Sequence, residues 1–135
     1  MTKGQGVKAA WWVALLVGLG GFLGSILRYG ISALVHRLLP FTTFPYGTLT
    51  VNVTGCLLIG VMSGLAETRQ LFGPDFRAFL FIGALGGFTT FSTFGFETFS
   101  FVRDGEHVRA SLNIIANVVV GLVSLWFGHA LASLR

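Results

Sequence analysis

Four apolar runs, each long enough to cross a bilayer, occupy almost the whole chain: 11–35, 46–66, 77–102 and 110–134. A transmembrane helix needs roughly 20 predominantly apolar residues. In hydrocarbon its backbone N–H and C=O groups must pair within the segment. These runs therefore read as four transmembrane helices in a single all-α membrane domain over 1–135, with no room for a separate soluble domain. Composition agrees, with 53% of residues hydrophobic and 10% charged, against about 25% charged in a soluble domain.

The breaks between runs are well marked. Leu39-Pro40 and Phe44-Pro45 follow the first run, Gly73-Pro74 precedes the third, and Arg103-Asp104-Gly105-Glu106-His107 makes a charged turn before the fourth. Lys3 and Lys8 ahead of an apolar stretch resemble a signal peptide. The stretch is longer than an h-region of about 7–15 residues and no small-residue cleavage site follows, so it reads as a retained helix.

Basic residues collect at the ends of the runs, where they suit lipid headgroups. The partner this implies is the lipid bilayer and not nucleic acid. With an even number of helices the termini share one side. Lys3, Lys8, Arg69, Arg77 and Arg135 fall there, and Arg28, Arg37, Arg103 and Arg109 fall opposite, five against four. The positive-inside rule needs an asymmetry, and so slight a bias leaves insertion in both orientations open. An antiparallel homodimer of dual topology is then available, because a two-fold axis in the membrane plane needs both orientations.

Glycine is abundant, 19 residues in all, and Gly20/Gly24, Gly60/Gly64 and Gly83/Gly87 form G-x-x-x-G pairs. Such pairs let helices approach closely in lipid. Cys56 is the one cysteine; inside an apolar run it reads as a small hydrophobe.

The most informative segment is Gly86-Gly87-Phe88-Thr89-Thr90-Phe91-Ser92-Thr93-Phe94. Glycine costs a helix about 1 kcal/mol and threonine some tenths relative to alanine. Two glycines and four hydroxyl residues in mid-span therefore predict a broken third helix near 86–91. Freed backbone groups at membrane depth must line a cavity or find partners. Exposed carbonyls there suit a cation, and a half-helix N-terminus suits an anion. The competing reading is an unbroken helix whose Ser and Thr bond back to the preceding turn.

Other polar residues fall into stripes. Thr48 and Asn52 are four apart in the second run, and Asn113 and Asn117 four apart in the fourth, so each pair shares a helix face. Buried amides are expensive in hydrocarbon and point inward, as interhelical glue or as a polar pathway. Glu97 is the one acid well inside a span and is a candidate proton site, gate or vestibule residue; Arg28 at the far end of the first run snorkels or faces a vestibule. His36, His107 and His129 lie near membrane edges. No paired carboxylates, metal-ligand spacing or nucleophile–base arrangement stands out, which argues against an enzyme. Amides and hydroxyls without fixed charge donate hydrogen bonds to an anion, and phenylalanine edges carry the positive part of the ring quadrupole. Fluoride fits such a site, although composition alone does not select it.

The stretches Gly47-Thr48-Leu49-Thr50-Val51-Asn52 and Gly86 to Phe94, with Gly24 to Tyr29 closing the first helix at Arg28, resemble the signature motifs of the Fluc (CrcB) fluoride channel family. The resemblance covers essentially the whole chain. It implies an antiparallel homodimer with two fluoride pathways and a broken third helix. It also implies pore-lining Phe91 and Phe94, a pore asparagine at Asn52, and Ser92 and Thr93 hydroxyls at the crossover. Asn113 and Asn117 would form a polar track with Thr48 nearby, and Glu97 would stand close to the pore. A structural Na+ would sit at the dimer centre on the backbone carbonyls of Gly86 and Thr89. The implied role is passive fluoride export across the cytoplasmic (inner or plasma) membrane, protecting the cell from fluoride.

Three other readings compete with the channel, the proton-coupled exporter most closely. A proton-coupled exporter of fluoride or a small molecule would use Glu97 as its proton site. A four-helix dual-topology drug exporter needs an acid in the first helix, and none stands between Trp11 and Val35. A helper subunit would use its polar residues only for packing, and would not need the Phe/Thr/Ser density of the third run.

Overall fold

All three prolines stand where a helix tolerates them: Pro40 and Pro45 in one connection, and Pro74 in the first turn of a helix. The apolar runs between them are left free to coil. The computed structural model describes residues 3–69 and 71–134; Arg135, one of the basic residues assigned to the terminal side, lies outside them. The helices are α1 (Lys3–Leu38), α2 (Tyr46–Arg69), α3 (74–88), α4 (Phe91–Arg103) and α5 (His107–Ser133). Within α3, Ala78–Leu85 widens into π-helical turns, and Ala116–Val120 does the same within α5. Four segments are long and apolar enough to cross a membrane: Ala10–Leu38, Tyr46–Thr68, Pro74–Arg103 and His107–Ser133. Helices α3 and α4 share the third.

Several helices outrun their apolar runs. The first begins at Lys3 and not near 11, because polar flanks outside hydrocarbon can continue a helix once it is nucleated. At 36 residues it is roughly 54 Å long at 1.5 Å per residue, well beyond a hydrocarbon core of about 30 Å. The Trp12 indole N–H donates to Asp75 Oδ2 at 3.0 Å, tying α1 to the start of α3 at one membrane edge.

Helix α5 packs chiefly on α2 and α3 on α1, with α1 and α2 side by side and α4 against the start of α5. Glycines set the closest approaches. A Cβ on Gly24 would run into the carbonyl oxygen of Ala84, and one on Gly60 into that of Leu125. Gly20, Gly24, Gly83 and Gly87 thus lie at the α1–α3 contact, and Gly60 and Gly64 at the α2–α5 contact. Gly105, at φ 78°, closes α4: its N–H reaches the Val102 carbonyl at 3.1 Å, and the Glu106 N–H reaches Phe101 at 2.8 Å.

The centre of the molecule is small and partly polar. Val51 and Asn113 are completely buried, and Thr48, Thr90, Leu85, Phe88 and Phe94 are buried as well. Large apolar side chains such as Phe22, Leu27, Val119 and Trp126 point outward, which suits a surface solvated by lipid.

Candidate functional site

The backbone leaves the helix at two residues. Thr89 (φ −78°, ψ 157°) and Thr90 (φ −146°, ψ 108°) are extended, between the end of α3 and the start of α4. In continuous helix the Thr90 N–H would bond the Gly86 carbonyl, and the Thr93 N–H that of Thr89. Both donors go elsewhere. Thr90 N–H donates to Asn52 Oδ1 at 2.9 Å, and Asn52 Nδ2 donates back to the Thr90 carbonyl at 3.2 Å. Thr93 N–H donates to Thr90 Oγ1 at 3.3 Å, which makes Thr90 the N-cap of α4. The carbonyls of Gly86 and Thr89 are thereby deprived of their helical donors.

Asn52 is held in turn from α5. Its amide also donates to Asn117 Oδ1 at 2.9 Å. Asn117 Nδ2 donates to both the backbone carbonyl and Oδ1 of Asn113, each at 3.0 Å. Asn113 Nδ2 donates to Thr98 Oγ1 at 2.9 Å, and that hydroxyl donates to the Phe94 carbonyl at 2.8 Å. Asn52 of α2 therefore joins the amide stripe of α5 to the extended Thr90.

A cavity of about 240 Å³ opens beside this junction, lined by Asn52, Cys56, Ile59, Thr89, Thr90, Phe91, Phe94, Asn117 and Val118. The rings of Phe91 and Phe94 meet at 5.5 Å between centroids, tilted by 57°. Their surroundings differ: Phe94 is 8% exposed and Phe91 82%. Ser92 and Thr93, in the first turn of α4, are exposed on the single chain. The Thr93 hydroxyl accepts from Thr90 Oγ1 at 2.9 Å, so its own proton is not used in that bond.

Toward one membrane edge lies a second cavity of about 370 Å³, with Thr43, Phe96, Glu97, Ser100, Asp104, Glu106 and Arg109 among its walls. Arg109 bridges both carboxylate oxygens of Glu106 at 2.7 Å. Glu97 Oε1 accepts from the buried Thr48 hydroxyl at 2.5 Å, while its Oε2 is buried and meets no donor among the described residues. Arg28, half-buried on α1, lies outside this network and forms no ion pair among the described residues.

A family model described as CrcB-like protein, Camphor Resistance (CrcB), matches residues 15–129. The chain belongs to the CrcB family. It is similar to the "Fluoride-specific ion channel FluC" of Methylobacillus flagellatus, 46% identical over 120 residues, covering 89% of this chain and 94% of that one. The protein of the same name from Chlorobium phaeobacteroides is 46% identical over 122 residues, covering 89% and 92%. That of Opitutus terrae is 45% identical over 120 residues, covering 87% and 90%. With four spans, this CrcB chain is a multi-pass membrane protein.

Among the described residues no three His, Cys, Asp or Glu side chains group as metal ligands. The Gly86 and Thr89 carbonyls are hard oxygen donors without helical partners, a set that fits Na+. Of the residues expected from the sequence, Asn52, Asn117, Phe91 and Phe94 line the cavity at the extended pair, Ser92 and Thr93 follow it in the first turn of α4, and Asn113 joins through Asn117. Thr48 and Glu97 pair with one another nearer the membrane edge, and Arg28 stands apart. Two contributors went unmarked. Thr90 supplies the captured backbone N–H and C=O and the helix cap, and a threonine just before a helical run was the available signal. Thr98 takes the Asn113 amide; an i, i+4 distance from Phe94 is all the sequence offers.

Proposed function

We propose that this chain is a fluoride channel that lets the anion leave the cell passively, and that it works as an antiparallel dual-topology homodimer. The observation that carries this is the capture of both backbone polar groups of Thr90 by Asn52. It supports a permanently interrupted, broken third helix in mid-membrane, within a chain whose relatives bear the name fluoride-specific channel. A helix interrupted at that depth is tolerated only beside protein or a water-filled cavity, and a cavity with two phenylalanine rings lies there.

The chemistry follows from the groups on offer. Fluoride is small and holds its water tightly, so a pathway must replace that water with donors. The uncommitted Thr93 proton, the Ser92 hydroxyl and the N-terminal end of α4 supply them. Ring edges of Phe91 and Phe94 add a weak positive field without a fixed charge. A pathway lined by neutral side chains releases the ion as readily as it accepts it. The exposure of Phe91, Ser92 and Thr93 on one chain supports a second copy covering this face. Carbonyls of Gly86 and Thr89 from both copies would hold a Na+ between them, supplying a stationary positive charge.

A second reading rests on Glu97 Oε2, buried and without a donor: a proton-coupled exporter with Glu97 as the proton carrier. Vesicles loaded with potassium fluoride separate the two. A channel releases fluoride when a potassium ionophore relieves the charge imbalance, and chloride-loaded vesicles stay silent. Release driven by a pH gradient without the ionophore would establish the exporter. No release in either format would remove both.

A further inference from the structure

We infer that Thr98 is a positioning residue for conduction, because it is the terminus of a one-way hydrogen-bond relay that fixes which face each pore amide presents. This rests on the channel reading above, since it is read as fluoride flux.

An asparagine amide can be turned over with little change of shape, exchanging two donors for an acceptor. Here backbone groups remove that freedom at successive points. The Thr90 N–H must meet Asn52 Oδ1, and the Thr90 carbonyl must meet Asn52 Nδ2. Asn52 then turns its second N–H to Asn117, which must answer with Oδ1. Asn117 Nδ2 meets the backbone carbonyl of Asn113, so that orientation is fixed twice over. Asn113 consequently presents Oδ1 to Asn117 and its own Nδ2 to Thr98. Thr98 accepts there and passes its single proton to the Phe94 carbonyl.

The relay thus begins at the peptide of Thr90, crosses α2 and α5, and returns to α4 at the carbonyl of Phe94. Every link donates in the same sense, and aligned links polarise one another. Asn113 is completely buried. Without the Thr98 oxygen its N–H loses its acceptor, and the cheapest remedy is to turn the amide toward the Phe94 turn or toward Asn117. The second choice sets two N–H groups face to face and works back through Asn117 to Asn52, loosening the grip on Thr90. Thr98 touches no ion in this account; it acts through Asn113.

The experiment is fluoride efflux from proteoliposomes for wild type, Thr98→Val and Thr98→Ser, each checked for folding by gel filtration and thermal unfolding. Thr98→Val keeps the shape and removes the hydroxyl, and flux should fall about tenfold, the rate equivalent of one unsatisfied buried donor. Thr98→Ser restores the hydroxyl and should recover flux to within about twofold. In an Asn113→Leu background the relay is already cut, so adding Thr98→Val should change nothing further. If Thr98→Val does not fold, Thr98→Ala takes its place with the same expectations. Full flux in the hydroxyl-less variant, no recovery with serine, or additive losses in the double variant would each overturn the inference. A wild type that passes no fluoride would instead overturn the channel reading, and this inference with it.

Discussion

Asn52 holds the backbone of Thr90 by both of that residue's polar groups, accepting from the N–H at 2.9 Å and donating to the carbonyl at 3.2 Å. One amide on α2 thereby does for a single extended residue what a neighbouring strand does in a sheet. Asn52 gives the backbone groups of the extended Thr90 partners within the protein; leaving such groups bare in hydrocarbon costs several kcal/mol.

Asn52→Asp is the sharpest perturbation of that contact. The carboxylate has no N–H, so the bonds to the Thr90 carbonyl and to Asn117 Oδ1 become oxygen against oxygen. We expect fluoride flux to fall about a hundredfold, equivalent to about 2.7 kcal/mol, with a lower unfolding temperature in detergent. A variant that conducts at the wild-type rate would leave Asn52 with no part in the pathway.

Phe91→Ile and Phe94→Ile should both slow fluoride efflux by at least about tenfold, because the ring edges are lost. Their stabilities should differ. Phe94 is buried and its replacement should cost about 1 kcal/mol of packing. Phe91 is 82% exposed on the single chain, so its loss should leave intrachain stability unchanged. Thermal unfolding beside the flux assay checks both halves.

Glycine packing gives a test independent of function. Gly60→Ala drives a methyl into the Leu125 carbonyl and should destabilise by about 2 kcal/mol. A Cβ on Gly18 would meet nothing within 4 Å, so Gly18→Ala should be neutral or stabilising by up to about 1 kcal/mol. Equal effects at the two sites, measured by unfolding in detergent, would contradict the helix contacts described.

Replacing sodium with a bulky organic cation tests the carbonyl site. A ligand bound only to the assembled state stabilises it by mass action. The unfolding temperature and the fraction of dimer should therefore fall as sodium is removed and recover when it returns. Indifference to sodium would leave the Gly86 and Thr89 carbonyls without this ligand.

Much of this was legible in the residues. Apolar length alone yields four spans, since hydrocarbon admits few other solutions for an exposed backbone. The intramembrane amides announced themselves by their cost, and Asn52, Asn113 and Asn117 do lie together. What the residues did not disclose is partnership. Spacing places Asn52 on a helix face but does not say that its target is the backbone of a residue 38 positions away. Nor does spacing distinguish Phe94, buried, from Phe91, exposed, because that depends on how α4 is rotated after the extended pair. Thr98 was invisible for a simpler reason: a threonine one turn beyond a phenylalanine is commonplace in a membrane helix, and its worth comes from Asn113 across the helix contact. Helix ends were misjudged where polar residues extend a helix past hydrocarbon, as at Lys3.

Current across a planar bilayer tests the central claim most directly. With unequal fluoride on the two sides and equal pH, the channel account predicts a current whose reversal potential follows the fluoride gradient and ignores added chloride. A reversal potential that tracks the proton gradient, or fluoride transfer that carries no current, would contradict it.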